Sequence, residues 1–188
     1  VVWFAACDSF LDEDPKSSLT LDTYYKTSAD IIGNVNYLYR DGAPDKMGNM
    51  TGAYRGSSLS VMNMVTGYFV NEYEGQEVDC SYARQLTRQD FTQSCCNYLT
   101  NDTWKSCYKS INVANAVIKY VDGVEMDNQA QYKAEARFFR ALNYFYLVKM
   151  FGDVPMVTEP TEDATLVEYP TRTAASEVFN TVIIPDLQ

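Results

Sequence analysis

Between Ala134 and Pro155 the chain reads AEARFFRALNYFYLVKMFGDVP, and this stretch restricts the fold more than any other. Ala134, Phe138, Ala141, Phe145 and Val148 recur at three- and four-residue steps, the spacing of one helical face, and Asp127 or Asn128 is placed to cap the start. Phe139, Leu142, Tyr144, Tyr146 and Leu147 occupy most of the remaining circumference. A helix that is apolar on nearly every side has to be enclosed by other protein, so Phe145 is expected in the core. Gly152 offers the left-handed residue that ends helices, and Pro155 keeps the helix from resuming.

A second strong helix is expected to begin at Asn101 or Asp102, with Trp104, Cys107, Tyr108, Ile111, Ile118 and Val121 on one face and Gly123 as its end. Two long helices joined by a few residues pack antiparallel, which predicts a helical hairpin over Asp102 to Met150. Upstream, Ser28 is placed to cap a helix carrying Ile31, Ile32, Val35, Leu38 and Tyr39 on one face, with Asp41-Gly42 as the exit. From Gly42 to about Gly75, Gly, Pro, Asn and Ser interrupt the apolar runs, apart from a short helix expected over Ser57 to Val65. A last helix is expected from near Ala174, with Val178, Val182 and Ile183 on one face and a kink at Pro185. The fold class is therefore all-α, with long irregular loops. The hairpin carries a faint tetratricopeptide spacing, in Trp104, Cys107, Tyr108 and Ile111 and then in Ala134 and Phe138, but it is longer than the repeat's period of about 34 residues.

The ordered string Glu135, Arg137, Phe138, Arg140, Ala141, Tyr144, Leu147, Phe151, Gly152, Asp153 and Pro155 is more than helix packing requires. AEARFFRALNYFYLVKMFGDVPMVTEP resembles the signature helix of the SusD/RagB family, surface lipoproteins that capture nutrients for gut Bacteroidota. The resemblance extends to the connector ending Tyr169-Pro170-Thr171-Arg172, and it is poor over Gly42 to Asn101. It implies tetratricopeptide-like helical hairpins with long loops, no enzymatic activity, no cofactor and the amino-terminal portion of a longer protein. It also implies a SusC-like TonB-dependent transporter as partner and an oligosaccharide or polysaccharide as ligand, or a peptide in RagB-like members.

The start of the chain tests this reading separately. Val1 to Ala6 is a short apolar run with small residues just before Cys7, the pattern of a lipoprotein signal peptide whose cysteine becomes acylated after cleavage. The following CDSFLDEDPKSSLTLDTYY is similar to the family's mature start. Residues 1–6 are thus read as the end of a signal peptide, 7–27 as a lipidated tether and 28–188 as the helical domain. Each buried methylene of an acyl chain contributes about 0.8 kcal/mol, and stable anchoring takes more than one chain. No segment approaches the roughly 20 apolar residues that span a bilayer, so Cys7 is the expected membrane contact.

With 25 acidic residues, 15 basic ones, no histidine and a net charge of −10, the chain is a poor match for nucleic acid, whose phosphates attract clustered Lys and Arg. Triads built on histidine are excluded within it. Glycoside hydrolysis needs two carboxylates about 5 to 9.5 Å apart, and the acids Glu72, Glu74, Glu77 and Asp79 read instead as a solvated run. Cys80, Cys95, Cys96 and Cys107 lack zinc spacing, and Gly75 falls too early for a calcium loop, so no metal site is expected. The surplus is aromatic: 15 tyrosines, each a flat face with a hydroxyl at its rim, suited to sugar rings and to wet interfaces. The candidate ligand contacts are Tyr68, Phe69, Tyr73, Tyr82 and Tyr98, with Asn71, Glu72 and Arg84 as polar partners. Trp104 is expected in the core rather than as a sugar platform, and Cys107 likewise.

Overall fold

The computed structural model describes residues 20–40, 63–69, 85–90, 94–161 and 170–188, with the backbone alone for 94–100 and 102. Residues 7–19 of the tether, with Cys7, most of the Ser57 to Val65 helix, the acid run and Cys80 lie outside the described residues.

A single turn, α1 (Leu21–Tyr24), leads into α2 (Ser28–Arg40). Thr27 rather than Ser28 caps α2: its amide and its hydroxyl both donate to the Asp30 carboxylate, at 2.8 and 2.6 Å. These bonds to Thr27 hold the Asp30 carboxyl below its ordinary range. Ile31, Val35 and Leu38 are buried as the spacing predicts, whereas Tyr39 is exposed and meets Phe139 edge-on at 4.7 Å.

The hairpin consists of α3 (Ser94–Tyr120) and α4 (Gln129–Phe151). α3 starts well before Asn101. The cap-type run Asn101-Asp102-Thr103 is interior to the helix, where Thr103 is fully buried, so tertiary packing outweighs the local preference of these residues for caps. A 3₁₀ turn, Val121–Gly123, follows, and Gln129 fastens it by donating to the carbonyls of Val121 (3.2 Å) and Val124 (2.5 Å). Asn128 opens α4 with φ +61 and no side-chain cap bond, so the expected cap acts only through its carbonyl, which accepts from Gln131 and Tyr132.

The buried face of α4 differs from the expected one. Ala136, Phe139, Ala141, Asn143, Tyr144, Leu147 and Val148 are buried, whereas Ala134, Phe138 and Phe145 are exposed, the two phenylalanines at 47% and 39%. The physical reason is that a helix apolar nearly all round carries too little asymmetry for periodicity to select the face. The packing partner selects it, and α3 meets the Phe139 and Tyr144 side.

Two apolar clusters zip the hairpin. Near the turn, Val117, Val121 and Val124 pack with Ala136, Phe139 and the α2 residues Ile31, Val35 and Leu38. At the open end, Cys107 and Ile111 pack with Tyr144, Leu147, Val154, Val178 and Val182, and Trp104 flanks this cluster against Phe151 (5.1 Å, edge-on). Cys107 therefore sits in the core as expected, whereas Trp104 is half-buried at its edge. Each fully buried Leu or Ile side chain stabilises such a cluster by about 1.5–3 kcal/mol.

Gly152 ends α4 with φ +71, its amide donating to the Val148 carbonyl at 2.9 Å. β1 (Val154–Pro155) then pairs antiparallel with β2 (Arg172–Thr173), Val154 opposite Thr173. The last segment is α5 (Ala175–Val178), a π-helical turn (Phe179–Ile183) and α6 (Ile184–Asp186). Proline lacks the amide that would bond back one turn, and the chain continues across Pro185 after a widened turn. Val178, Val182 and Ile183 are buried as expected. No helix among the described residues is long and apolar enough to cross a membrane.

Candidate functional site

The two arginines of the signature string converge on one construction. Asp186, with its side chain 3% exposed, accepts from Arg140 Nε (2.6 Å) and Nη2 (2.8 Å) and from Arg137 Nε (3.1 Å). Arg137 Nη2 also donates to the Pro185 carbonyl. Arg140 Nη1 donates to Asn115 Oδ1 at 3.0 Å, and Asn115 Nδ2 donates to the carbonyls of Val157 and Glu159. Charge-assisted bonds of this kind are the strong ones, and here they tie α3, α4, α6 and the connector after β1 into one network.

The connector is held by tyrosines as well. The Tyr144 hydroxyl donates to the Val157 carbonyl (2.8 Å) and accepts from the Val157 amide (2.7 Å), and the Tyr108 hydroxyl donates to the Pro155 carbonyl (2.7 Å). Burial pushes the Tyr144 hydroxyl up to about 12 and that of Tyr108 higher still. Asn112 accepts from the Thr161 amide at 2.7 Å. Asp153 caps α5 from a distance by accepting from the Ala175 amide (2.9 Å), while Arg172 donates to the Asp153 carbonyl (2.9 Å). Arg137, Arg140, Tyr144 and Asp153 of the signature string, with Tyr108, Asn112 and Asn115 of α3, thus fix later segments to the hairpin.

The ligand candidates fall elsewhere. Tyr68 and Phe69 are adjacent and exposed, at 89% and 57%. The turn before them is held by the Thr66 hydroxyl, which donates to the Asn63 carbonyl (2.6 Å) and accepts from the Tyr68 amide (3.3 Å), and Gln89 ties it to a neighbouring segment by donating to the Val65 carbonyl (3.1 Å). Tyr98 lies within α3, with its side chain outside the described residues, as are Asn71, Glu72, Tyr73, Tyr82 and Arg84. Sequence reading missed one concavity. About 600 Å³ opens between the start of α2 and the α3–α4 turn, lined by Ser28, Ile32, Glu125, Met126, Asp127, Asn128 and Tyr132. The described residues hold no group of three or more acids and cysteines arranged for a metal.

Known proteins place this architecture. The chain matches the SusD-like family model described as "Starch-binding associating with outer membrane" over residues 9–188. Two SusD-like proteins of Formosa agariphila are 27% and 26% identical to it, over 82% and 96% of this chain and 29% and 34% of their own lengths. A SusD-like protein of Bacteroides ovatus is 26% identical over 96% of this chain and 31% of its own length. The chain therefore spans about a third of the length of these relatives. The solved structure of a SusD superfamily protein from Parabacteroides distasonis shares the fold, with a TM-score of 0.63 and 24% identity, over 90% of this chain and 33% of that one. With the signature helix, its hairpin partner and the pinned connector all accounted for, the chain belongs to the SusD-like family.

Proposed function

We propose that this chain is part of a surface-exposed nutrient-binding lipoprotein, anchored through Cys7, that captures glycans and passes them to a SusC-like TonB-dependent transporter of the outer membrane. The observation that carries the reading is the family match over residues 9–188, with its signature residues forming a rigid scaffold rather than a reaction centre. The adjacent exposed rings of Tyr68 and Phe69, raised on a hydrogen-bonded turn, supply the kind of aromatic face that stacks on sugar rings. Tyr73, Tyr82, Tyr98, Asn71, Glu72 and Arg84 remain the further contacts we assign to the ligand.

Affinity electrophoresis of the complete ectodomain, begun after Cys7, through gels containing soluble plant, host and microbial polysaccharides tests the reading. Retardation by one polysaccharide supports glycan capture and names the substrate class. No retardation across the panel, with binding to a peptide library instead, replaces glycan by peptide. Failure in both, with co-purification of the transporter retained, reduces the protein to a docking scaffold.

A further inference from the structure

The concavity between the start of α2 and the α3–α4 turn is set apart by what its polar groups do. Among the described residues, no hydrogen bond or ion pair engages the Ser28 hydroxyl, the Glu125 and Asp127 carboxylates, the Asn128 amide or the Tyr132 hydroxyl, although all five residues line this one space. Around the connector, by contrast, Arg140, Asn115 and Tyr144 are each bonded to protein. The walls are nevertheless fixed. Tyr132 and Met126 pack on the apolar cluster near the turn, Gln129 holds the turn through the Val121 and Val124 carbonyls, and Thr27 with Asp30 holds the start of α2. A volume of about 600 Å³ falls in the range of about 300–1,000 Å³ typical of small-molecule sites, and walls already in place need little ordering to receive a ligand.

The lining selects the ligand's chemistry. No Lys or Arg is among the lining residues, and the two carboxylates repel anions, so phosphate, sulfate and uronate groups are poor ligands here. An ammonium group only donates, and it leaves the donors of Ser28, Asn128 and Tyr132 without an acceptor. Hydroxyl groups serve both sides, donating to the carboxylates and accepting from those three residues. Tyr132, with Ile32 and Met126 in the same lining, adds apolar surface for the C–H face of a ring. We propose that this concavity is a second glycan-contact site, built from residues other than Tyr68 and Phe69, that binds one uncharged sugar unit through its hydroxyls. Assigning those hydroxyls to a glycan rests on the function proposed above.

The test is affinity electrophoresis of the complete ectodomain, begun after Cys7, in soluble starch, arabinoxylan, galactomannan and polygalacturonate, for the parent, Asp127→Ala and Tyr132→Ala. The expected result is retardation of the parent by one of the three neutral polymers, weakened about ten-fold by Asp127→Ala at an unchanged thermal midpoint. Adding that polymer to the parent is also expected to slow hydroxyl-radical oxidation of Met126 and Tyr132 at least two-fold. Parent and both variants retarded alike, with Met126 oxidised at the same rate throughout, overturn the second site and leave the glycan reading standing. Retardation by polygalacturonate alone overturns the assignment to an uncharged sugar. No retardation of the parent in any of the four gels overturns the glycan reading and this site with it. Asp127→Ala breaks no bond within the described residues, so it carries the test should Tyr132→Ala fail to fold.

Discussion

Asp186 is a buried carboxylate between two guanidinium groups, and removing it exposes how differently the two arginines are placed. Arg140 is 13% exposed at its side chain and Arg137 38%, so Asp186→Ala leaves one cation nearly buried without its counter-charge. The expected loss is about 3 kcal/mol by urea unfolding, against about 1 kcal/mol for Arg137→Gln, whose charge is better solvated. Tyr144 gives a second test at this scale. Its hydroxyl is held neutral to about 12, against an ordinary value of 10.0, chiefly by desolvation. The folded state therefore keeps a proton that the unfolded chain releases above 10.0, and stability present below that pH is lost as pH rises from about 10 to about 12. Tyr25, raised to about 12 by burial against the stacked Tyr120 ring, titrates in the same window. Tyr144→Phe is expected to cost about 1–3 kcal/mol at neutral pH, because the Val157 amide loses its acceptor, and to make the alkaline decline shallower; a pH series of urea midpoints checks both.

Helices and their ends were legible in the sequence to the extent that a local cause made them. Gly152 stops α4 because its φ of +71 with ψ of −123 is a backbone conformation that side chains disfavour, and the space around it is open, so Gly152→Ala carries a backbone cost alone, about 1–2 kcal/mol in thermal unfolding. The apolar run of the last helix likewise predicted its buried Val178, Val182 and Ile183. What escaped sequence reading was set by partners far along the chain. The face of α4 depends on where α3 lies, the early start of α3 depends on the burial of Thr103, and the cap of α5 comes from Asp153, 22 residues before the amide it accepts from. Arg137 and Arg140 were recognisable as part of a signature, but their role required Asp186, 46 residues after Arg140, to be brought to them.

At the scale of the molecule the division of labour is between a pinned hairpin and the segments it displays. The family was readable because the residues that fix the connector and the last helix to the hairpin are specific in type and spacing. The ligand contacts we propose were readable only as a surplus of aromatics, because sugar stacking needs a flat exposed face and places no periodic demand on sequence. Tyr68 stands apart from both apolar clusters, at 89% exposure, so its ring adds nothing to the packing of the core. Tyr68→Ala is therefore expected to leave the thermal midpoint within about 1 °C, since exposed substitutions away from structural features lie within about 0.5 kcal/mol. Its effect is expected on binding instead: loss of one stacked ring lowers retardation in polysaccharide gels by roughly five- to ten-fold in apparent affinity, about 1–1.5 kcal/mol. A variant that melts at the parental temperature yet binds every polysaccharide as the parent does removes Tyr68 from the ligand site. The same protein carrying Tyr144→Phe provides the opposite control, in which stability falls and the intact loop still binds below its melting temperature.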